Sequence, residues 1–187
     1  MRHLRRRRSE RLERGAAAVE FALVLPILLW LVFGIIDYGI WFADGITARD
    51  AARSATRSAA LGSVGANTAC RPWDSGWQNA SSFDKATVCA ALGSMQLLGS
   101  HVYVKLLYTD GTAPLAHGQV PARGDVAKMC IAMQQSVTMP LIPLPGGGLQ
   151  FTKAASPIDQ PTLDAAGDGG NDATNLPTGL QWSSWCD

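Results

Sequence analysis

From Phe21 to Phe42 the chain is apolar on every side, and Asp37 is the one charge between Glu20 and Asp44. As a helix at about 1.5 Å per residue this stretch spans roughly 33 Å, close to the hydrocarbon thickness of a bilayer. Pro26 and Gly34 would weaken a helix in water but are tolerated in lipid, where Pro26 can introduce a local kink. The pattern then changes. Arg49, Arg53 and Arg57 recur every four residues on one stripe, and Ala48, Ala51, Ala52, Ala55 and Ala59 form a smooth face of small side chains. With Gly62 and Gly65 as stop signals, the pattern predicts one helix from Ala16 to Leu61. Its first half is apolar all round and its second half is amphipathic, so it needs lipid around one half and a domain or neighbouring helices against the other.

Beyond Gly62 the pattern reads as a small α+β domain. Ser82 as N-cap and Gly99 as stop bound a short helix over Phe83–Leu98. His101–Thr109 alternates, with Val102, Val104, Leu106 and Tyr108 on one face of a strand. After a turn opened by Asp110-Gly111, residues Asp125–Met139 predict a longer strand. Its core face is Ala127, Met129, Ile131, Met133, Val137 and Met139, where methionine serves as core filling. Pro140, Pro143, Pro145 and Gly146–Gly148 break the pattern before a third, weaker strand over Leu149–Ser156. The expected divisions are a basic leader over 1–15, an N-terminal helix over 16–61 and an exported α+β domain over 62–187. Within that helix, 21–42 spans the membrane and 43–61 is the amphipathic extension.

Charge gives the chain a direction. Of 187 residues 17% are charged and the formal balance is +1, but residues 1–15 hold seven arginines against two glutamates. That leaves nine cations against thirteen acids in the remainder, a balance of −4 behind a leader at +5. Positive charge gathered before a membrane-length segment keeps the N-terminus cytoplasmic and exports the rest of the chain, giving a single-pass protein of the inner membrane. A basic arm for nucleic acid is the rival reading; direct abutment on an apolar segment argues against it, and no nucleic-acid partner is expected. The apolar run is too long for a secretory signal, Ala43-Asp44-Gly45 is a poor cleavage site, and Arg5–Arg8 lack the apolar residues expected after a twin-arginine pair.

Cys70, Cys89, Cys130 and Cys186 all lie beyond the apolar run. An even count in an oxidising compartment favours two disulfides among three connectivities, and proximity in sequence favours Cys70–Cys89 with Cys130–Cys186. Zinc is the rival, but there is no C-x-x-C and no ligand spacing that involves His101 or His117. Asp164, Asp168, Asn171 and Asp172 in a Gly-rich loop are weak candidates for calcium, at a spacing that departs from the EF-hand. Trp73, Trp77, Trp182 and Trp185 suit either half-exposed contacts or packing against the disulfides. No nucleophile elbow, P-loop, H-E-x-x-H or dinucleotide fingerprint occurs, so the reading is a non-enzyme with no cofactor.

A leader rich in arginine, then Gly15, three small residues, Val19, Glu20-Phe21 and an apolar helix with an early proline resemble the class III signal of type IV pilins. More narrowly, RGAAAVEFALVLPILL followed by ITARDAARSATRSAA resembles the TadE-like pseudopilins of the tight-adherence (Flp) pilus system, over residues 11–60. The resemblance implies a pilin-like fold, in which a long N-terminal helix packs on a small antiparallel sheet. It also implies cleavage between Gly15 and Ala16 by a membrane-embedded prepilin peptidase. The implied partners are that peptidase, other pilins or pseudopilins and the pilus assembly platform. Cleavage would make Glu20 the fifth residue of the mature chain, with Phe21 next to it. In a helix Glu20 stands one turn from the new α-amine of Ala16, close enough to pair with it or with a neighbour's. The implied function is a minor pseudopilin in pilus assembly or priming; the alternative is an uncleaved, signal-anchored envelope protein with a ligand-binding or enzymatic exported domain.

Overall fold

The structure, a computed structural model, describes residues 2–65, 70, 81–95, 100–116, 119–135, 144–160, 176 and 180–186, with side chains of the first helix from Ala16 onward. That helix, α1 (Arg2–Ala60), has 59 residues and is about 90 Å long. It begins at Arg2 rather than Ala16. Arginine, leucine and glutamate are good helix formers, and Gly15 alone does not stop the propagation of a formed helix. At its other end the stop is Gly62, in the left-handed region at φ 64°. Its N–H donates to the Ala59 carbonyl and that of Ser63 to Ser58, the paired bonds of a Schellman cap.

The remaining elements are α2 (Ser82–Ser94), β1 (Ser100–Thr109), β2 (Val126–Gln135) and β3 (Leu149–Pro157), with a turn at Pro145–Gly148 whose Gly146 and Gly147 lie in the left-handed region (φ 62° and 68°) and a single 3-10 turn at Trp182–Ser184. The N-cap of α2 is Ser81, not Ser82: its Oγ accepts from the Asp84 N–H, which makes Ser82 the first helical residue. The helix stops at Ser94, earlier than Leu98, because Met95 is extended. The predicted stop at Gly99 and the strand residues beyond Gln135, Val137 and Met139 among them, lie outside the described residues.

The three strands form an antiparallel meander in the order β1-β2-β3. One face presents Val104, Leu106, Tyr108, Ala127, Met129, Ile131 and Met133 to the alanine face of α1, with Val88 and Ala91 of α2 joining the same core. Ala48 and Ala52 are fully buried there. Small side chains let the helix backbone lie close to the sheet, while the methionines and Ile131 fill the seam from the other side. The opposite face is covered too. Leu107, Cys130 and Ala132 pack beneath Trp182 and Cys186 of the C-terminal turn.

β3 runs parallel to α1. Near its start the Gln150 Nε2 donates to the Trp41 carbonyl at 2.6 Å, and just past its end the Asp159 and Gln160 N–H groups donate to the Ala60 carbonyl. Nine strand residues at about 3.3 Å match nineteen helix residues at about 1.5 Å, so strand and helix stay in step for roughly 30 Å. The last donors also satisfy a carbonyl that the end of a helix would leave open. Gly45 makes room for this seam, since any Cβ there would collide with the Gln150 side-chain oxygen.

Candidate functional site

Two halves of α1 meet at Asp37. Toward the N-terminus the helix is bare: twelve large apolar side chains between Val19 and Ile36 stand 41–70% exposed. Its most apolar window has a mean hydropathy of 2.6 and none of it is buried by the rest of the chain, so α1 is long and apolar enough to cross a membrane. Each such side chain is worth about 1.5–3 kcal/mol when it leaves water, and only lipid or neighbouring helices offer that exit. From Asp37 onward the sheet covers one side. Asp37 and Asp44 are both buried, and the Gln135 Nε2 donates to the Asp37 carbonyl. Burial by the sheet therefore begins inside the stretch 21–42 that hydropathy assigns to the membrane.

Glu20 and Phe21 both lie exposed on the bare half. Ala16 is four residues earlier on the same helix, about 6 Å along the axis, on the same stripe as Glu20. Gly15 sits within unbroken helix. Glycine costs about 1 kcal/mol relative to alanine in that setting, so it marks the place in this stretch where the helix unwinds most cheaply. Farther along, Arg49, Arg53 and Arg57 are exposed on the side of α1 away from the sheet.

The part of the chain beyond α1 is stapled twice, Cys70 to Cys89 and Cys130 to Cys186. The second bond ties the C-terminal turn onto β2, and Lys128 of β2 and Lys153 of β3 donate to the Cys186 and Trp185 carbonyls respectively. Trp182 is buried in this cluster and its ring stacks at an angle on Trp185, which in turn meets Phe151. Trp73 and Trp77 lie outside the described residues, as do His117 and the acidic loop of Asp164, Asp168, Asn171 and Asp172. Among the described residues no three His, Cys, Asp or Glu side chains gather to hold a metal. His101 is exposed at the start of β1.

Sequence reading missed two polar features. Gln135 and Gln150 are amides near strand ends, Gln135 directly after Gln134, and that position was their only signal. The other feature is a buried pair on the core side of β1. The Tyr108 hydroxyl donates to Asp84 Oδ1 at 2.7 Å, with Asp84 4% and Tyr108 3% exposed. Burial pushes the Asp84 carboxyl up to about 6, against the lowering effect of its Tyr108 and Ser81 bonds, and burial together with the Asp84 charge pushes the Tyr108 hydroxyl up as well. The capping motif Ser81-x-x-Asp84 accounts for the location of this acid.

The shift has a definite sign. The folded carboxyl holds its proton more tightly than the unfolded chain, so stability falls as pH rises from about 4 to about 6 and is level above that. The full swing is about 3 kcal/mol. Asp84→Asn keeps an acceptor for Tyr108 and removes the charge. Thermal unfolding of the chain in detergent is expected to show the decline in wild type and its loss in Asp84→Asn, with neutral-pH stability no lower in the variant. Parallel pH profiles would refute the assignment.

Residues 15–57 match a family model described as TadE-like protein. The match opens at Gly15 and closes at Arg57, so it takes in the bare half of α1 and nearly all of the docked half. No curated protein matches the chain, and no solved structure does. Over residues 15–57, then, this chain is similar to the TadE-like family.

Proposed function

We propose that this chain is a minor pseudopilin, cut by a prepilin peptidase after Gly15, that takes part in assembling or priming a Tad pilus through packing of its N-terminal helix. The observation that carries this reading is the bare apolar helix with a single acid near its N-terminal edge, inside a TadE-like segment that opens at Gly15. In the membrane, lipid covers that surface. In an assembly, neighbouring helices replace the lipid, and a carboxylate in such surroundings favours registers that give it a cation. The leader at +5 holds the N-terminus in the cytoplasm, the exported domain lies across the inner membrane, and its two disulfides suit that compartment. The partners are the peptidase, other pilins or pseudopilins and the assembly platform. The role is that of a structural part rather than a catalyst.

Gly15→Leu tests the reading. In cells lacking the native gene, wild type is expected to restore surface pili while Gly15→Leu accumulates in the membrane at full length and restores none. Piliation at wild-type level by the uncut variant would point to the signal-anchored alternative.

A further inference from the structure

We infer that the lower rim of the exported domain, the Pro145–Gly147 turn with the start of β3, is seated in the outer leaflet of the bilayer. Because β3 runs parallel to α1, the chain just before Leu149 lies on the membrane side of the sheet. Gly148 pins the turn there: it has φ 82°, and a Cβ would come within 2.9 Å of the Gln135 carbonyl oxygen. Gln135 in turn reaches the Asp37 carbonyl. The exposed residues Pro145, Gly146 and Gly147 therefore lie at or below the level of Asp37.

The length of the bare helix then sets their depth. Sixteen uncharged residues separate Glu20 from Asp37, about 24 Å of helix, while a bilayer core is about 30 Å thick. Tilting the helix shortens the span further. The shortfall of about 6 Å is met when the rim sinks to the depth at which interfacial segments sit. The rim has the composition for it. From Met129 to Thr152 the sequence contains no Asp, Glu, Lys, Arg or His. Beside the rim, Tyr38, Trp41 and Phe42 form an edge-to-face aromatic group, with Phe42 58% exposed, in the manner of an interfacial belt. This inference rests on α1 crossing a bilayer and is independent of leader cleavage or any pilus role.

The described cysteines are all in disulfides, so an introduced thiol can be labelled selectively. An environment-sensitive fluorophore would be placed on Pro145→Cys, on Leu28→Cys within the bare helix, and on Arg123→Cys at the opposite end of the sheet. The full chain would be reconstituted in vesicles with a nitroxide-bearing lipid at shallow depth. The expected result is blue-shifted emission at 28 and 145, with the label at 145 quenched several-fold more than the label at 123. A label at 145 that emits as in water, beside a lipid-exposed label at 28, overturns the inference and leaves the span intact, with bilayer thinning as the accommodation. A blue shift at 145 without lipid quenching also overturns it and assigns the rim to a second copy of the chain. A water-like label at 28 overturns the span and the inference together.

Discussion

Glu20→Ala is expected to reach the membrane, lose its leader normally and then fail to enter assemblies. The reason is an unpaired charge. Once Ala16 carries a free ammonium, packing the helix among apolar neighbours buries that cation unless a carboxylate accompanies it. Removing one member of a buried pair costs about 3–5 kcal/mol, and each 1.4 kcal/mol is tenfold in population. Recovery in sheared pili, or in crosslinks to pilus subunits where the chain stays in the membrane, should therefore fall by roughly a hundredfold or more. Glu20→Gln should fall nearly as far because it keeps the shape and loses the charge, while Glu20→Asp should retain part. Normal leader removal in all three variants separates this effect from a failure of processing. Wild-type recovery of Glu20→Ala would leave the acid no part in assembly.

The second large effect concerns the disulfide-bonded part beyond α1. Cys130 and Cys186 are both fully buried and close a loop of 56 residues, which on loop-closure entropy contributes about 4 kcal/mol. The 19-residue loop between Cys70 and Cys89 contributes nearer 3 kcal/mol by the same reasoning. Total stabilities of small domains are about 5–15 kcal/mol, so either loss is serious and the longer loop is the worse one. The double variant Cys130→Ala/Cys186→Ala is expected to unfold at lower temperature than Cys70→Ala/Cys89→Ala. It should also release the C-terminal turn to protease first, because Trp182 and Trp185 lose their anchor on β2. Equal melting of both variants and wild type would show that packing alone holds that face.

The helix and the inner face of the sheet were legible because each obeys a simple period. Apolar residues in one unbroken run gave the first half of α1, alanines at helical spacing gave the second, and the alternation of Val104, Leu106 and Tyr108 gave the core side of β1. The outer face was harder to read. Leu107, Cys130 and Ala132 occupy positions that an alternating strand assigns to solvent, and they are buried because a distant turn folds over them. No local pattern reports a cover that arrives from residue 182 onward, and the cysteine pair was the one hint. Hydropathy was likewise blind to where the sheet begins to cover α1, since it scores composition and Asp37 is buried by Gln135 and its neighbours rather than by lipid. The helix start at Arg2 was missed for a related reason: the leader was read for its charge, while the conformation of its backbone is set by its propensity. For the site, Gly15, Ala16 and Glu20 stood out as a glycine, a small patch and a lone acid at the edge of an apolar run. The Asp84–Tyr108 pair did not, because its partners are 24 residues apart on different elements.

The central claim is that the working form of this protein begins at Ala16. N-terminal sequencing of the chain purified from membranes of cells that contain the cognate prepilin peptidase tests it most directly. The account predicts Ala-Ala-Ala-Val-Glu as the first residues, and the full leader when the peptidase gene is deleted. A chain that still begins with the arginine-rich leader in the presence of the peptidase would contradict it.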